Sequence, residues 1–351
     1  VTAILTSAPG KLFLLGEYAV LEGAPALLTA VDARVRVRVE PVDAPAWRLE
    51  AADLGIRGLT LGADGTLPAD LDAGTRDSLR VFDAVRAGVA ERADRRGGIR
   101  HGDIRHGDLR HPALDISIDS SALRAGGHKL GLGSSAAVAV ALTAALARAA
   151  GLELDRGAVF ELANAAHRAA QGGSGSGGDV AASTYGGLLR YERDTAPVPL
   201  AWPAGLAMLV VVTGTGSSTT DLVGRVAEYA ARDHAGYRAD MDRLIALAEC
   251  APAALRSAEL FLELASDYFD ALRRLDAHAH AGIVTDRHRE LQELAAQHSA
   301  VFKTSGAGGG DVGLAFSRSG APALELAAAL AAAGAEVVPL GFGAAGLEDG
   351  I

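Results

Sequence analysis

Hydrophobic positions recur with two different periods along the chain. Val35, Val37 and Val39 alternate with Arg36 and Arg38, the signature of a half-exposed strand. Leu114, Ile116 and Ile118 repeat that alternation and predict a strand over Leu114–Ile118. Short apolar runs predict further strands at Ala3–Leu5, Ala26–Val31, Leu188–Tyr191, Ala207–Val212, Val312–Phe316 and Glu336–Leu340. Elsewhere the spacing is helical. Leu79, Phe82, Val85 and Val89 fall on one face of a helix over Asp77–Arg92. An Ala-rich run from Ser135 to near Gly151 predicts a helix apolar enough to be buried. Further helices are predicted at Arg156–Ala170, Val180–Tyr185, Leu222–Arg232, Met241–Glu249, Ala253–Leu275, Ile283–Gln297 and Pro322–Ala333. Ser7–Lys11 reads as a turn, and Pro41–Asp72 as short strands and loops. The polar, proline-marked stretch Asp194–Pro203 divides the chain into domains at 1–195 and 196–351, the second α+β.

Glycine-rich stretches interrupt this pattern. Leu130–Ala137 reads Leu-Gly-Leu-Gly-Ser-Ser-Ala-Ala and opens the Ala-rich helix. The first turn of a helix has unsatisfied N–H groups and a dipole that favours an anion. A phosphate suits that position, and Ser134 and Ser135 suit either a helix cap or a metal ion. A capped helix after a tight turn explains the same residues without a ligand. No Gly-Lys-Ser/Thr closes the loop, so it is not a Walker A sequence. Gln171–Asp179 carries five glycines before an aspartate and suits a ligand-facing loop. Asp179 is a helix cap, a general base, or a carboxylate that orients a hydroxyl next to a phosphate. Thr213–Thr220 places several hydroxyls at a strand-to-helix transition, and Phe302–Asp311 forms another glycine-rich loop. Lys11 ends the Ser7–Lys11 turn as a surface lysine or as a point charge for a phosphate. Glu17 either orients Lys11 or caps a turn.

The chain has 351 residues and 49% hydrophobic composition, enough for two cores. Its formal charge of −10, from 43 acids and 33 bases, argues against nucleic-acid binding. Cys250 is the only cysteine, which excludes an internal disulfide and suits the cytoplasm. It is expected between two helices as a small buried residue. Val1–Ala8 lacks the charged and apolar parts of a signal peptide, and no apolar run matches a membrane span. The repeat within Arg100–His111 places His101, His106 and His111 five apart, which suits neither a helix face nor a strand face. It is expected as an exposed loop or hairpin.

Four pieces together carry a family resemblance: Pro9–Val20 with its Gly-Glu-Tyr, Gly131–Ala137, Gly175–Asp179 and Lys303–Asp311. Their order and spacing resemble the galactokinase, homoserine kinase, mevalonate kinase and phosphomevalonate kinase (GHMP) superfamily. Gly-Glu-Tyr, Ala166–Gly172 and Ser217–Val223 are most similar to the phosphomevalonate kinases. The resemblance implies an α+β, two-domain fold. Its N-terminal domain would be of the ribosomal protein S5 domain 2 type and its C-terminal domain ferredoxin-like. ATP and Mg2+ are the implied cofactors. Lys129, Gly131, Gly133, Ser134, Ser135 and Ala136 would contact the nucleotide, with Ser134 or Ser135 approaching magnesium. Lys11 and Asp179 would be catalytic. Acceptor contacts would come from Glu17, Tyr18, Arg168, Ser176, Ser218 and Thr219. Further acceptor contacts would come from Lys303, Ser305, Gly306, Gly308 and Gly309. His167 and Arg168 stand where mevalonate kinases place a magnesium-reaching glutamate, a departure shared by phosphomevalonate kinases.

The implied reaction converts ATP and 5-phosphomevalonate to ADP and 5-diphosphomevalonate. Such a transfer needs in-line placement and charge stabilisation more than covalent help. An acceptor phosphate is already anionic, so Asp179 would orient or coordinate; with an alcohol acceptor it would take a proton. Lys129, Arg168 and Lys303 are candidates to hold the substrate phosphate. The competing readings are a mevalonate kinase, a diphosphomevalonate-type decarboxylase and a catalytically silent nucleotide-binding module. The expected partner is a small phosphorylated isoprenoid precursor, with neither nucleic acid nor membrane, for a monomer or homodimer.

Overall fold

A computed structural model describes residues 2–97, 113–125, 128–173, 175–214, 216 and 218–350. The chain opens with β1 (Ile4–Leu15), a 3-10 turn at Ala19–Glu22 and β2 (Ala26–Val42). β3 (Arg48–Ala51), β4 (Ile56–Thr60), α1 (Ala73–Ser78), α2 (Arg80–Gly97) and β5 (Ala113–Asp119) follow. The short antiparallel pair β6 (Arg124–Ala125) and β7 (His128–Lys129) leads into α3 (Ser134–Ala149). Next come α4 (Arg156–Ala170), α5 (Gly178–Tyr185), β8 (Leu188–Tyr191), β9 (Val198–Leu200) and β10 (Leu206–Val212). Four consecutive helices are α6 (Thr219–Arg232), α7 (His234–Ala254), α8 (Ala258–Ala279) and α9 (Asp286–Gln297). β11 (Val301–Thr304), β12 (Val312–Arg318), α10 (Ala321–Ala332), β13 (Glu336–Val338) and β14 (Glu348–Asp349) complete the order.

Two main sheets organise these elements. The first runs β14-β1-β2-β5-β3-β4, and β8 joins β2 while pairing with β9. Its ladders are antiparallel except for the parallel β3–β5 pair. The second runs β11-β12-β10-β13 and is antiparallel throughout. Two α+β lobes result, each a sheet with helices packed on it. The end of the chain returns to the first sheet, where β14 pairs with β1.

α3 is the central helix of the first lobe. It packs on β1, β2, α2 and α4. Eleven of its residues are buried, seven of them alanines. Small side chains let the helix axis approach the sheet closely, and Thr6 Oγ1 donates to Ala141 O at 2.8 Å. A larger residue at Ala139 would overpack this layer at a cost of about 1–3 kcal/mol. Leu79, Phe82, Val85 and Val89 are all buried as their spacing requires, but the predicted helix is broken at Leu79, which caps α1 ahead of α2.

Several sequence expectations are corrected. Ser7–Lys11 is not a turn but the middle of β1, because β2 supplies ladder partners across it. The register shifts between Pro9 and Lys11, which accommodates the proline and glycine as an irregularity within the strand. The separately predicted strands Ala26–Val31 and Val35–Val39 form one long β2. Phe302–Thr304 lies in a strand rather than at the start of a loop. Cys250 lies inside α7 and is exposed, so the expectation of a buried residue between helices does not hold. The Arg100–His111 repeat lies outside the described residues.

Candidate active site

Lys11 reaches the site from β1. Its backbone N–H donates to Leu132 O at 2.8 Å, which ties the glycine-rich loop before α3 to the strand. Its Nζ lies 3.5 Å from Gly131 O, 3.7 Å from Asp179 Oδ2 and 5.2 Å from the centre of the Phe13 ring. The Lys11 side chain is 6% exposed and the Asp179 side chain 32%. Lys11 is thus held mainly by its walls, with the carboxylate open to the cavity. Gly133 makes this possible. It has φ +74, and a Cβ there would stand 2.9 Å from Lys11 Cε. Only glycine offers both the dihedral and the space.

α3 begins immediately after Gly133, so its first N–H groups face the same region. Ser134 and Ser135 occupy its first turn. Ser135 Oγ lies 3.0 Å from His167 Nε2, and Gln171 Nε2 lies 3.2 Å from the same ring atom. Burial holds the His167 imidazole below its ordinary range; Asp179 opposes this and Lys11 reinforces it. Asp179 sits in the first turn of α5, whose N-cap is Gly177. Asp179 therefore is not the cap. The Gly178 N–H donates to Ser176 Oγ at 3.2 Å, and Tyr191 Oη donates to Ser176 O at 2.6 Å, fixing the loop ahead of the aspartate.

The third wall joins the two lobes. The Phe13 N–H donates to Ser305 Oγ at 3.1 Å, and that hydroxyl donates to Phe13 O at 3.0 Å. Tyr18 Oη donates to Ala307 O at 2.7 Å. Tyr18 is buried and has φ +61, an outlier for a bulky residue, and burial pushes its phenol pKa up. Behind it, the Gly309 N–H donates to Ile283 O at 2.9 Å. Lys303 Nζ donates to Glu17 Oε1 and Thr304 O, both at 2.5 Å.

These walls enclose a cavity of about 700 Å³. Lys11, Asp179, Gly131, Gly133, Ser134 and Ser135 line it, as do Glu17, Tyr18 and Ser176. Thr219, Ser305, Gly306 and Gly308 complete the expected residues found there. Five others, Ala136, Arg168, Ser218, Lys303 and Gly309, lie off it. Ala136 is buried in α3, Gly309 braces the third wall from behind, and Ser218 caps α6 through its bond to the Asp221 N–H. Arg168 donates to Gly173 O at 3.4 Å. Lys303 is consumed by Glu17, so Glu17 pairs with Lys303 rather than orienting Lys11. Lys129 ends β7 ahead of the loop. A shallower depression of about 410 Å³ beside Arg92, Arg95 and Asp155 contains none of these groups.

His167, Thr220 and Asp311 also line the cavity and were not among the expected site residues. Asp311 closes the third glycine-rich loop and packs against Gly131 and Gly216. His167 carried one signal, its place before the Gly175–Asp179 loop. Magnesium takes oxygen ligands from one or two carboxylates together with substrate phosphates. Ser134, Ser135 and Asp179 supply that kind of donor on one wall, so the residues fit the ion. Among the described residues no cluster of three His, Cys, Asp or Glu side chains would hold a metal unaided. Also among the described residues, no helix is long and apolar enough to cross a membrane.

The chain is similar in sequence and fold to known proteins. The family described as GHMP kinases N terminal domain matches residues 89–187. A phosphomevalonate kinase of Streptomyces sp. (strain CL190) is 35% identical over 345 residues, covering 89% of this chain and 89% of that protein. A mevalonate kinase of Thermococcus onnurineus is 34% identical over 228 residues, covering 64% of this chain and 61% of that protein. Among solved structures, a Lin0012 protein from Listeria innocua superposes with TM-score 0.86 at 24% identity, covering 99% of each chain. The Streptococcus pneumoniae phosphomevalonate kinase in complex with phosphomevalonate and AMPPNP superposes with TM-score 0.74 at 22% identity. It covers 97% of this chain and 100% of that one. The two-lobed α+β fold is that of the GHMP kinases, and the chain belongs to this family.

Proposed function

We propose that the chain is a cytoplasmic, ATP-dependent phosphomevalonate kinase. In this reading the bond between the γ-phosphorus and the β,γ-bridging oxygen of ATP breaks. A new bond forms to a phosphate oxygen of 5-phosphomevalonate, giving ADP and 5-diphosphomevalonate. The observation that carries the kinase reading is the meeting of Lys11 and Asp179, 3.7 Å apart, on the wall that also holds the first turn of α3.

Each part has a distinct physical role. N–H groups at the start of α3 receive nucleotide phosphate oxygens, and the helix dipole favours their charge. Lys11 stabilises charge on the transferring group while holding Asp179 in place. An acceptor phosphate oxygen is already anionic, so Asp179 orients rather than deprotonates it. Ser134, Ser135 and Asp179 would hold magnesium, which when bound neutralises charge on the phosphates. Tyr18, Ser176, Thr219 and Ser305 provide polar groups around the acceptor.

Similarity to the Streptomyces phosphomevalonate kinase over 89% of both chains supports this acceptor. One observation favours an alcohol acceptor instead. Among the described cavity-lining residues, Lys11 is the only lysine or arginine. Mevalonate lacks the acceptor phosphate and so needs fewer cations, and Asp179 would then take its hydroxyl proton. Transfer from radiolabelled ATP to 5-phosphomevalonate and mevalonate, assayed side by side, separates the readings. Label is expected on 5-phosphomevalonate. Label on mevalonate alone overturns this acceptor, release of carbon dioxide indicates a decarboxylase, and no transfer to any isoprenoid precursor overturns the kinase reading.

A further inference from the structure

The sequence leaves Ser134 and Ser135 equivalent as ligands for a cation, but the fold treats them differently. Ser135 alone is drawn toward His167, a residue from the last turn of α4 that is only 5% exposed. His167 Nε2 faces Ser135 Oγ at 3.0 Å and the Gln171 side-chain nitrogen at 3.2 Å. With the Gln171 side-chain nitrogen turned toward it, Nε2 is assigned as the lone-pair atom and the ring proton to Nδ1. A serine hydroxyl facing that lone pair turns its hydrogen toward it. The oxygen lone pairs of Ser135 are then left for the cavity, which both residues line. An oxygen presented without its proton repels a phosphate oxygen and attracts a cation.

We propose that His167 is a positioning residue that commits Ser135 to face, through its oxygen, the divalent cation accompanying a bound nucleotide. Ser134, the preceding residue, remains the serine able to donate to phosphate. The inference rests on the kinase reading and adds to it a division of labour between adjacent serines. The buried histidine thereby acts through Ser135.

Calorimetric titration with a non-hydrolysable ATP analogue tests this without turnover. Wild type, Ser135→Ala, His167→Leu and the double variant are each titrated with excess Mg2+ and again in chelator. Ser135→Ala and His167→Leu are each expected to lose about tenfold of the tightening that Mg2+ confers, the scale typical of outer-shell ligand partners. Affinity in chelator should stay within about twofold of wild type, since the helix N–H groups remain. The double variant should be no weaker than Ser135→Ala alone, because His167 acts only through that serine. His167→Gln retains an acceptor oxygen and should recover most of the Mg2+ effect, which guards against misreading a packing defect.

Full Mg2+ tightening in Ser135→Ala overturns the proposal. So do additive losses in the double variant, or a His167→Leu loss equal in Mg2+ and in chelator. Failure of the wild type to bind the nucleotide at all overturns the kinase reading, and this inference with it.

Discussion

Lys303 and Glu17 meet at 2.5 Å as an ion pair whose side chains are 0% and 1% exposed. They lie 286 positions apart in sequence and join β11 to the turn after β1. Burial pushes the Glu17 carboxyl up and the Lys303 ammonium down, while each partner opposes the other's shift. The bonds from Ser305 to Phe13 and from Tyr18 to Ala307 lie beside it. Together they seam the lobes along one edge of the cavity. Removing one partner strands a buried charge. Lys303→Met should therefore cost about 3–5 kcal/mol in urea unfolding. Pairing it with Glu17→Leu should restore part of that loss. A single variant as stable as wild type would show that the seam does not depend on this pair.

In the proposed transfer, Lys11 and Asp179 act on chemistry more than on folding. Lys11→Met and Asp179→Asn are each expected to lower kcat by at least about 100-fold. Melting temperature and nucleotide affinity should change little for Asp179→Asn, because its carboxylate is partly exposed. Steady-state kinetics with a calorimetric binding control measures both. Wild-type turnover in Asp179→Asn would remove the carboxylate from the reacting centre.

Gly133 separates backbone strain from side-chain collision. Gly133 and Gly151 have φ +74 and +70, but a Cβ at Gly151 meets nothing within 4 Å. Alanine at either position should cost about 1–2 kcal/mol of stability for the left-handed dihedral. Only Gly133→Ala should also depress kcat, because its Cβ displaces Lys11. Equal kinetic effects from the two variants would show that Lys11 is not held by this contact.

His288 predicts acid sensitivity in the second lobe. It is fully buried, and burial lowers its pKa from 6.5 to about 4. Its Nδ1 accepts from the Thr285 N–H at 3.1 Å, and its Nε2 lies 3.1 Å from Thr213 Oγ1. Below pH 6.5 the unfolded chain binds a proton that the folded chain resists. This contribution is therefore complete above 6.5 and declines as pH falls toward about 4. The loss amounts to roughly 3 kcal/mol. Denaturant titrations at pH 7 and pH 4.5 should show a steeper decline in wild type than in His288→Gln. Equal pH slopes would exclude His288 as a source of the sensitivity.

Local sequence determines the elements whose hydrogen bonds and apolar periodicity are their own. α4 spans Arg156–Ala170 and β8 spans Leu188–Tyr191, the limits read from residue pattern alone. The glycine-rich stretches were visible for a similar reason: glycine and serine mark places where the backbone must turn closely. Local pattern could not show that Ser7–Lys11 lies within a strand, because its ladder partners belong to β2. Nor could it show that one face of α7 leaves Cys250 exposed.

The site divides in the same way. Sequence supplied Lys11, Asp179, two adjacent serines and the loops that carry them. Tertiary structure assigned Lys303 to Glu17 instead of the cavity and brought His167 to Ser135. A side chain's charge is written in the chain, but its partner is chosen by which distant segments pack together. In a buried setting that choice governs whether the charge faces a ligand or is neutralised within the protein.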